Sequence, residues 1–167
     1  MSRLSAVIVF VMVMTATVMI PPSQPRIFFN PTNSAPRGWY WLASSSTAAV
    51  GDYVIADLPK AVSALAAQRH YLPRDVPLLK RIGALPPQSV CVVDHHLLIA
   101  AKPVAIALRS DSAGRSLPIW TQCRPLARNE FFLLNPDEPA SFDSRYFGPV
   151  EREFVRGRAI PLWTWTY

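Results

Sequence analysis

Three sets of residues could do chemistry together: Ser34, Lys80, and a cluster of hydroxyl, carboxylate and guanidinium groups at Ser141, Asp143, Ser144 and Arg145. Ser34 sits within Asn30-Pro-Thr-Asn-Ser-Ala-Pro-Arg-Gly-Trp-Tyr40, where Pro31, Pro36 and Gly38 hold the backbone in extended and turn conformations. A hydroxyl there is presented on a stiff loop, although a serine in such a loop is ordinarily a turn residue bonded to its own backbone. Lys80 lies in Val76-Pro-Leu-Leu-Lys-Arg-Ile82, a short apolar run that reads as a strand. An ammonium buried there is desolvated, so its pKa falls toward neutrality and the neutral amine can take a proton. The alternative is an edge strand on which Lys80 and Arg81 alternate and one of them faces water. The Asp143 and Arg145 pair has the chemistry of a structural clamp, bidentate and charge-assisted.

A hydroxyl nucleophile needs a base, ordinarily a histidine steadied by a carboxylate. His70 stands alone, and His95 and His96, adjacent at a predicted hairpin tip, point to opposite faces and make a poor metal site. No metal and no other cofactor is called for. A lysine kept neutral by apolar neighbours can replace both histidine and carboxylate, which leaves Ser34 and Lys80 as the economical pair.

The elements that must position these groups read as mostly β. Seventeen prolines against six glycines, with few helical periodicities, indicate short strands joined by proline-stiffened loops. The spacing predicts a turn and strand over Val50 to Ala56 and a hairpin from Ser89 to Ile99, continued by Lys102 to Leu108. Further strands are predicted over Glu130 to Leu134 and near the end, over Gly157 to Tyr167. Lys60 to Arg69 is the one helical stretch, and Asn135 to Val150 reads as a long polar turn without helix or strand pattern until its end. Trp39, Tyr40 and Trp41 suit either a strand or a belt at lipid headgroup level.

With 167 residues, half of them apolar, the chain has the size of about one domain with a core. The net charge of +6 comes from singly scattered Lys and Arg with no basic run, which argues for solubility or attraction to an anionic bilayer and against a nucleic-acid surface. Leu4 to Ile20 is an apolar run preceded by Arg3 and ended by Pro21-Pro22, close to the lower limit of about 17 residues for a span. It is a signal peptide or a short anchor; the lack of an Ala-x-Ala cut site favours the anchor, with the N-terminus in the cytoplasm and the rest of the chain across the membrane. The expected organisation is an anchor or signal segment over 1–22 and a periplasmic domain over 23–167. Outside the cytoplasm Cys91 and Cys123 are able to form one disulfide, though spacing alone does not pair them.

The Asn30-x-Thr-x-Ser-x-Pro-x-Gly-x-Tyr40 stretch, Val50-Gly-Asp-Tyr-Val54, Leu79-Lys-Arg-Ile82 and Ser141-Phe-Asp-Ser-Arg-Tyr-Phe-Gly-Pro-Val150 resemble, in order and spacing, the boxes of type I signal peptidases. They are most similar to the conjugative-transfer branch, the TraF family. Two departures favour that branch: Gly83 follows Ile82 directly, with Pro86-Pro-Gln88 after it, and Asn135-Pro-Asp-Glu-Pro139 stands where general signal peptidases carry Asp-Asn-Arg. The resemblance implies a coiled antiparallel β domain and a serine endopeptidase at the inner membrane, with Ser34 as nucleophile and Lys80 as general base. It implies that Thr32 joins the Ser34 amide in an oxyanion hole, that Ser141 orients the lysine, and that Asp143 and Arg145 brace the site. The implied substrate is a pilin precursor, which such enzymes cut and can close into a ring. A general leader peptidase and a non-catalytic β scaffold of a secretion complex are the other readings, and the sequence sets no oligomeric state.

Overall fold

The computed structural model describes residues 26–33 and 35–165. The apolar run over 4–20, the domain boundary drawn at residue 22 and Ser34 lie outside them. Two antiparallel sheets make the fold. The larger has seven strands in the order β1-β2-β11-β3-β4-β9-β10: β1 Ile27–Asn30, β2 Arg37–Ala43, β3 Tyr53–Ala56, β4 Leu78–Ala84, β9 Glu130–Leu134, β10 Val150–Glu151 and β11 Val155–Trp165. The smaller runs β7-β6-β5-β8, from β5 Ser89–Val93, β6 His96–Ile99, β7 Lys102–Ile106 and β8 Cys123–Pro125. Cys91 and Cys123 face each other in register across β5 and β8 and are joined as a disulfide. Asp94 and His95 take positive φ between β5 and β6, which suits a two-residue hairpin turn.

The core follows from the apolar runs. Phe131 to Leu134 are all buried, as expected of a continuous apolar strand covered on both faces. Val54, Leu78, Ile82, Phe131, Leu133 and Val150 pack on one side of the large sheet; Tyr40, Ile55, Leu79 and Ala35 form a separate cluster. The helix α1, Lys60–Gln68, contributes Ala66 to a further cluster with Phe142 and Tyr146.

One sequence reading changes and two open alternatives are decided. β4 lies between β3 and β9 and is no edge strand, so the desolvating setting for Lys80 is the one found. The 135–150 stretch contains a second short helix, α2 Ser144–Phe147, whose N-terminus is capped by the Asp143 carboxylate accepting the Arg145 N–H. One turn is too short to show a 3.6-residue period. The Trp39-Tyr40-Trp41 triplet is a strand, with Tyr40 fully buried and both tryptophans on the open face. At Gly38 φ is +136°, and any Cβ would collide with the Trp163 carbonyl, so only glycine lets β11 pass this close to β2.

Candidate active site

The loop that carries Ser34 joins β1 to β2, and its flanks are tied down by two side chains. Asn30 is 3 % exposed. Its Nδ2 donates to the carbonyls of Thr32, Ala35 and Pro36, each at 3.1 Å, while its Oδ1 accepts the Thr32 N–H at 3.1 Å and the Thr32 hydroxyl at 2.8 Å. Tyr40, from the next strand, donates its hydroxyl to the Pro36 carbonyl at 2.6 Å. Burial, then the neighbouring Tyr53, push the Tyr40 phenol up to about 12, so it stays a donor. Thr32 donates its hydroxyl proton to Asn30; to serve an oxyanion, that hydroxyl must turn away from Asn30 as substrate enters. Asn30→Ala would leave the Thr32 amide and three carbonyls without this partner. The expected result is a loss of about 1–3 kcal/mol in thermal unfolding and, for any reaction in which Ser34 is the nucleophile, a rate down by roughly a hundredfold, because a group misplaced by about 1 Å loses that much. Unchanged rate and melting temperature would show the loop to be held by other means.

Lys80 projects from β4 with 2 % of its surface exposed, and its Nζ donates to Ser141 Oγ at 2.6 Å. Burial lowers its pKa from the usual lysine range to about 8; Asp143 and Glu138 pull it back up and Arg145 pushes it further down. A substantial fraction of the amine is therefore neutral near pH 8, as a general base requires.

Behind Ser141 stands the clamp. Arg145 Nε and Nη2 donate to the two Asp143 oxygens at 2.8 and 2.9 Å, both side chains being essentially buried. The remaining Arg145 donors go to the carbonyls of Ile106, Glu138 and Ser141, and the Asp143 carboxylate also accepts the Asn135 and Arg145 amides. With its oxygens so engaged, Asp143 is placed to brace the Ser141 loop rather than to move a proton.

An apolar cleft of about 570 Å³ brings Thr32, Lys80 and Ser141 together between the β1 end, the 71–79 segment and Phe142. Asp143 and Arg145 do not line it, nor do the disulfide cysteines, which belong to the other sheet. A second, charged cavity of about 330 Å³ opens on the far side of the 33–37 turn, with Arg81, Asp137, Glu138 and Trp165 in its wall. Adjacent residues of β4 thus serve two cavities, Lys80 the apolar one and Arg81 the charged one. Asn30, Tyr40 and Glu138 received no role from the sequence. Only Asn30 left a signal there, since an Asx side chain commonly binds the amide two residues on.

A family model described as "Signal peptidase, peptidase S26" matches residues 1–165. The plasmid transfer protein TraF of Escherichia coli is 31 % identical over 146 residues, covering 81 % of this chain and 82 % of that protein. The conjugal transfer protein TraF of Agrobacterium tumefaciens (strain 15955) is 33 % identical over 144 residues, 81 % of each. Among solved structures, a signal peptidase I from Enterococcus faecalis V583 aligns at 20 % identity with a TM-score of 0.42, over 69 % of this chain and 98 % of that one.

Proposed function

The chain belongs to the signal peptidase family, peptidase S26, and from that premise we propose that it is a membrane-associated serine endopeptidase of a conjugative transfer system that cuts, and can close into a ring, a pilin precursor. The observation that carries this reading is the buried Lys80 amine, held by Ser141 in an apolar cleft that also receives the nucleophile loop.

In this mechanism neutral Lys80 takes the Ser34 proton as the hydroxyl oxygen bonds to the substrate carbonyl carbon. The amide C–N bond then breaks as Lys80 returns that proton to the departing nitrogen, leaving an acyl-enzyme ester on Ser34. The Ser34 amide, joined by the Thr32 hydroxyl, would bear the developing oxyanion, where each donor is worth roughly a hundredfold or more in rate. Ser141 orients the lysine, and the Asp143–Arg145 clamp holds Ser141. The peptide would lie extended beside β1, whose outer edge has no strand partner among the described residues. The deacylating nucleophile is water for a linear product or the substrate's own amine for a ring.

Two features support a site at the outer face of the inner membrane. Ile27, Phe29, Trp39, Trp41 and Trp163 make a contiguous exposed apolar face across β1, β2 and β11, with Phe29 and Trp39 ring centroids 4.9 Å apart. Such a patch suits the interfacial zone of a bilayer, and the positive charge of the chain favours anionic lipid. A disulfide is characteristic of compartments outside the cytosol. No helix among the described residues is long and apolar enough to cross a membrane. The test is co-expression of the full chain with the pilin precursor in fractionated cells. Unaltered protein should sediment with membranes and convert the precursor, with Ser34→Ala abolishing conversion, and a ring should weigh one water less than the linear product. Conversion by Ser34→Ala would end this reading, and processing of unrelated exported preproteins would replace it with a general leader peptidase.

A further inference from the structure

The apolar cleft and the charged cavity share Asn33 and Glu138 as wall residues. In the reaction proposed above the acyl side would lie with Lys80 in the apolar cleft, which leaves the charged cavity to the amine side. Cleavage creates one group on that amine side whatever the sequence, the new α-amine. Of the charged residues there, Asp137 is held by Arg81 at 3.2 Å, and Arg81 also lies 5.0 Å from the centroid of the Tyr53 ring. Arg37 and Arg81 are cations and repel an ammonium. Glu138 is different: among the described residues it has no salt-bridge partner, and its side chain accepts only the Ala140 amide, at 3.3 Å. It is also close enough to Lys80 to hold that amine's pKa up.

We propose that the Glu138 carboxylate binds the α-amine on the carboxyl side of the cut, first as the leaving amine and then as the amine that attacks the acyl-enzyme. The inference rests on the acyl-enzyme reading above and adds the amine's binding site to it. By microscopic reversibility the groove that releases an amine also delivers one. An ammonium docks on Glu138 and gives one proton to solvent, and the neutral amine, one N–H still donated to the carboxylate, has its lone pair directed at the ester carbonyl. As the new C–N bond forms, Lys80 takes the second proton. It passes that proton to Ser34 Oγ as the ester C–O bond breaks, so one amide and one free serine replace one ester and one amine. Glu138 is a positioning residue in this scheme.

The experiment gives the full chain in detergent a peptide ester ending in Ala-Leu-Ala as acyl donor and glycinamide as acceptor, and reads the ratio of ligated to hydrolysed product. In the unaltered protein the ratio should saturate with glycinamide, while N-acetylglycinamide gives no ligation. Glu138→Gln should lower the ratio about tenfold, which corresponds to about 1.4 kcal/mol, and Glu138→Asp should recover part of it. Because a ratio is read, a general loss of active protein does not imitate the effect. An unchanged ratio in a Glu138→Gln protein that still cleaves, or strict proportionality to glycinamide at every concentration in the unaltered protein, overturns the proposal. Absence of any cleavage by unaltered protein would instead remove the peptidase reading on which it rests.

Discussion

Lys80→Met is expected to abolish turnover and, at neutral pH, to stabilise the protein. The first effect follows from losing the proposed general base, worth about 10²–10⁴-fold in rate. The second follows from linkage. Lys80 titrates at about 8 when folded, chiefly because it is buried, against 10.5 when unfolded. Between those values the unfolded chain binds more protons, so the folded state gains stability as pH rises through the window. Below pH 8 both states are protonated and the folded protein bears the whole cost of the buried ammonium, about 3 kcal/mol at 1.36 kcal/mol per pKa unit. Methionine keeps the apolar stem and removes that cost. Its thermal midpoint at pH 7 should exceed the parent's by roughly 6–12 °C, given about 2–4 °C per kcal/mol in a domain of this size. The gap should close toward pH 10. In the parent, kcat/KM should rise with an apparent pKa near 8. A melting gap independent of pH, or a rate profile without an alkaline-rising limb, would show that the amine is not held neutral by its surroundings.

Why Lys80 could be read from the sequence while Glu138 could not is a matter of range. A charge inside Leu78 to Ile82 contradicts its neighbours on the same strand, and that contradiction needs no other part of the fold. The hairpin over Ser89 to Ile99 and the helix over Lys60–Gln68 are legible for a related reason, since a period of 2 or 3.6 is a property of consecutive residues. Glu138 lies in a polar stretch where another carboxylate is unremarkable. Its meaning comes from the two cavities that meet beside it and from Arg81, 57 positions earlier, which takes Asp137 and leaves Glu138 to face the cleft.

The loop between β1 and β2 falls between these cases. Its prolines announce a stiff turn, and Asn30 two residues before Thr32 is a local Asx signal. The bonds from Asn30 to Ala35 and Pro36, however, exist only once the loop has closed and β2 has brought Tyr40 beneath Pro36. The α2 helix was hidden for the converse reason: four residues carry no period, and what holds them is the Asp143 cap and the buried Arg145. The three aromatic residues at 39–41 show what alternation does settle, since a strand with Tyr40 inward has to turn both tryptophans to the same outer face.

Arg145→Met should be the most destabilising single change in the site. The guanidinium is 1 % exposed and joins Asp143 to the carbonyls of Ile106, Glu138 and Ser141. Methionine fills much of the volume but strands a buried carboxylate and three carbonyls. Breaking a buried pair from one side costs about 3–5 kcal/mol, or roughly 10 °C in thermal midpoint. Lysine should rescue little, since it cannot reproduce the planar fork that meets both Asp143 oxygens. Adding Asp143→Asn removes the stranded charge, so the double variant should lose less than the sum of the singles, with a coupling of about 0.5–3 kcal/mol. Activity should fall with stability, because Arg145 fixes the Ser141 carbonyl whose residue in turn positions Lys80. Strict additivity of the two substitutions, or an Arg145→Met protein that melts with its parent, would mean that the Ser141 loop holds its shape without the clamp and that Lys80 is positioned from its own strand alone.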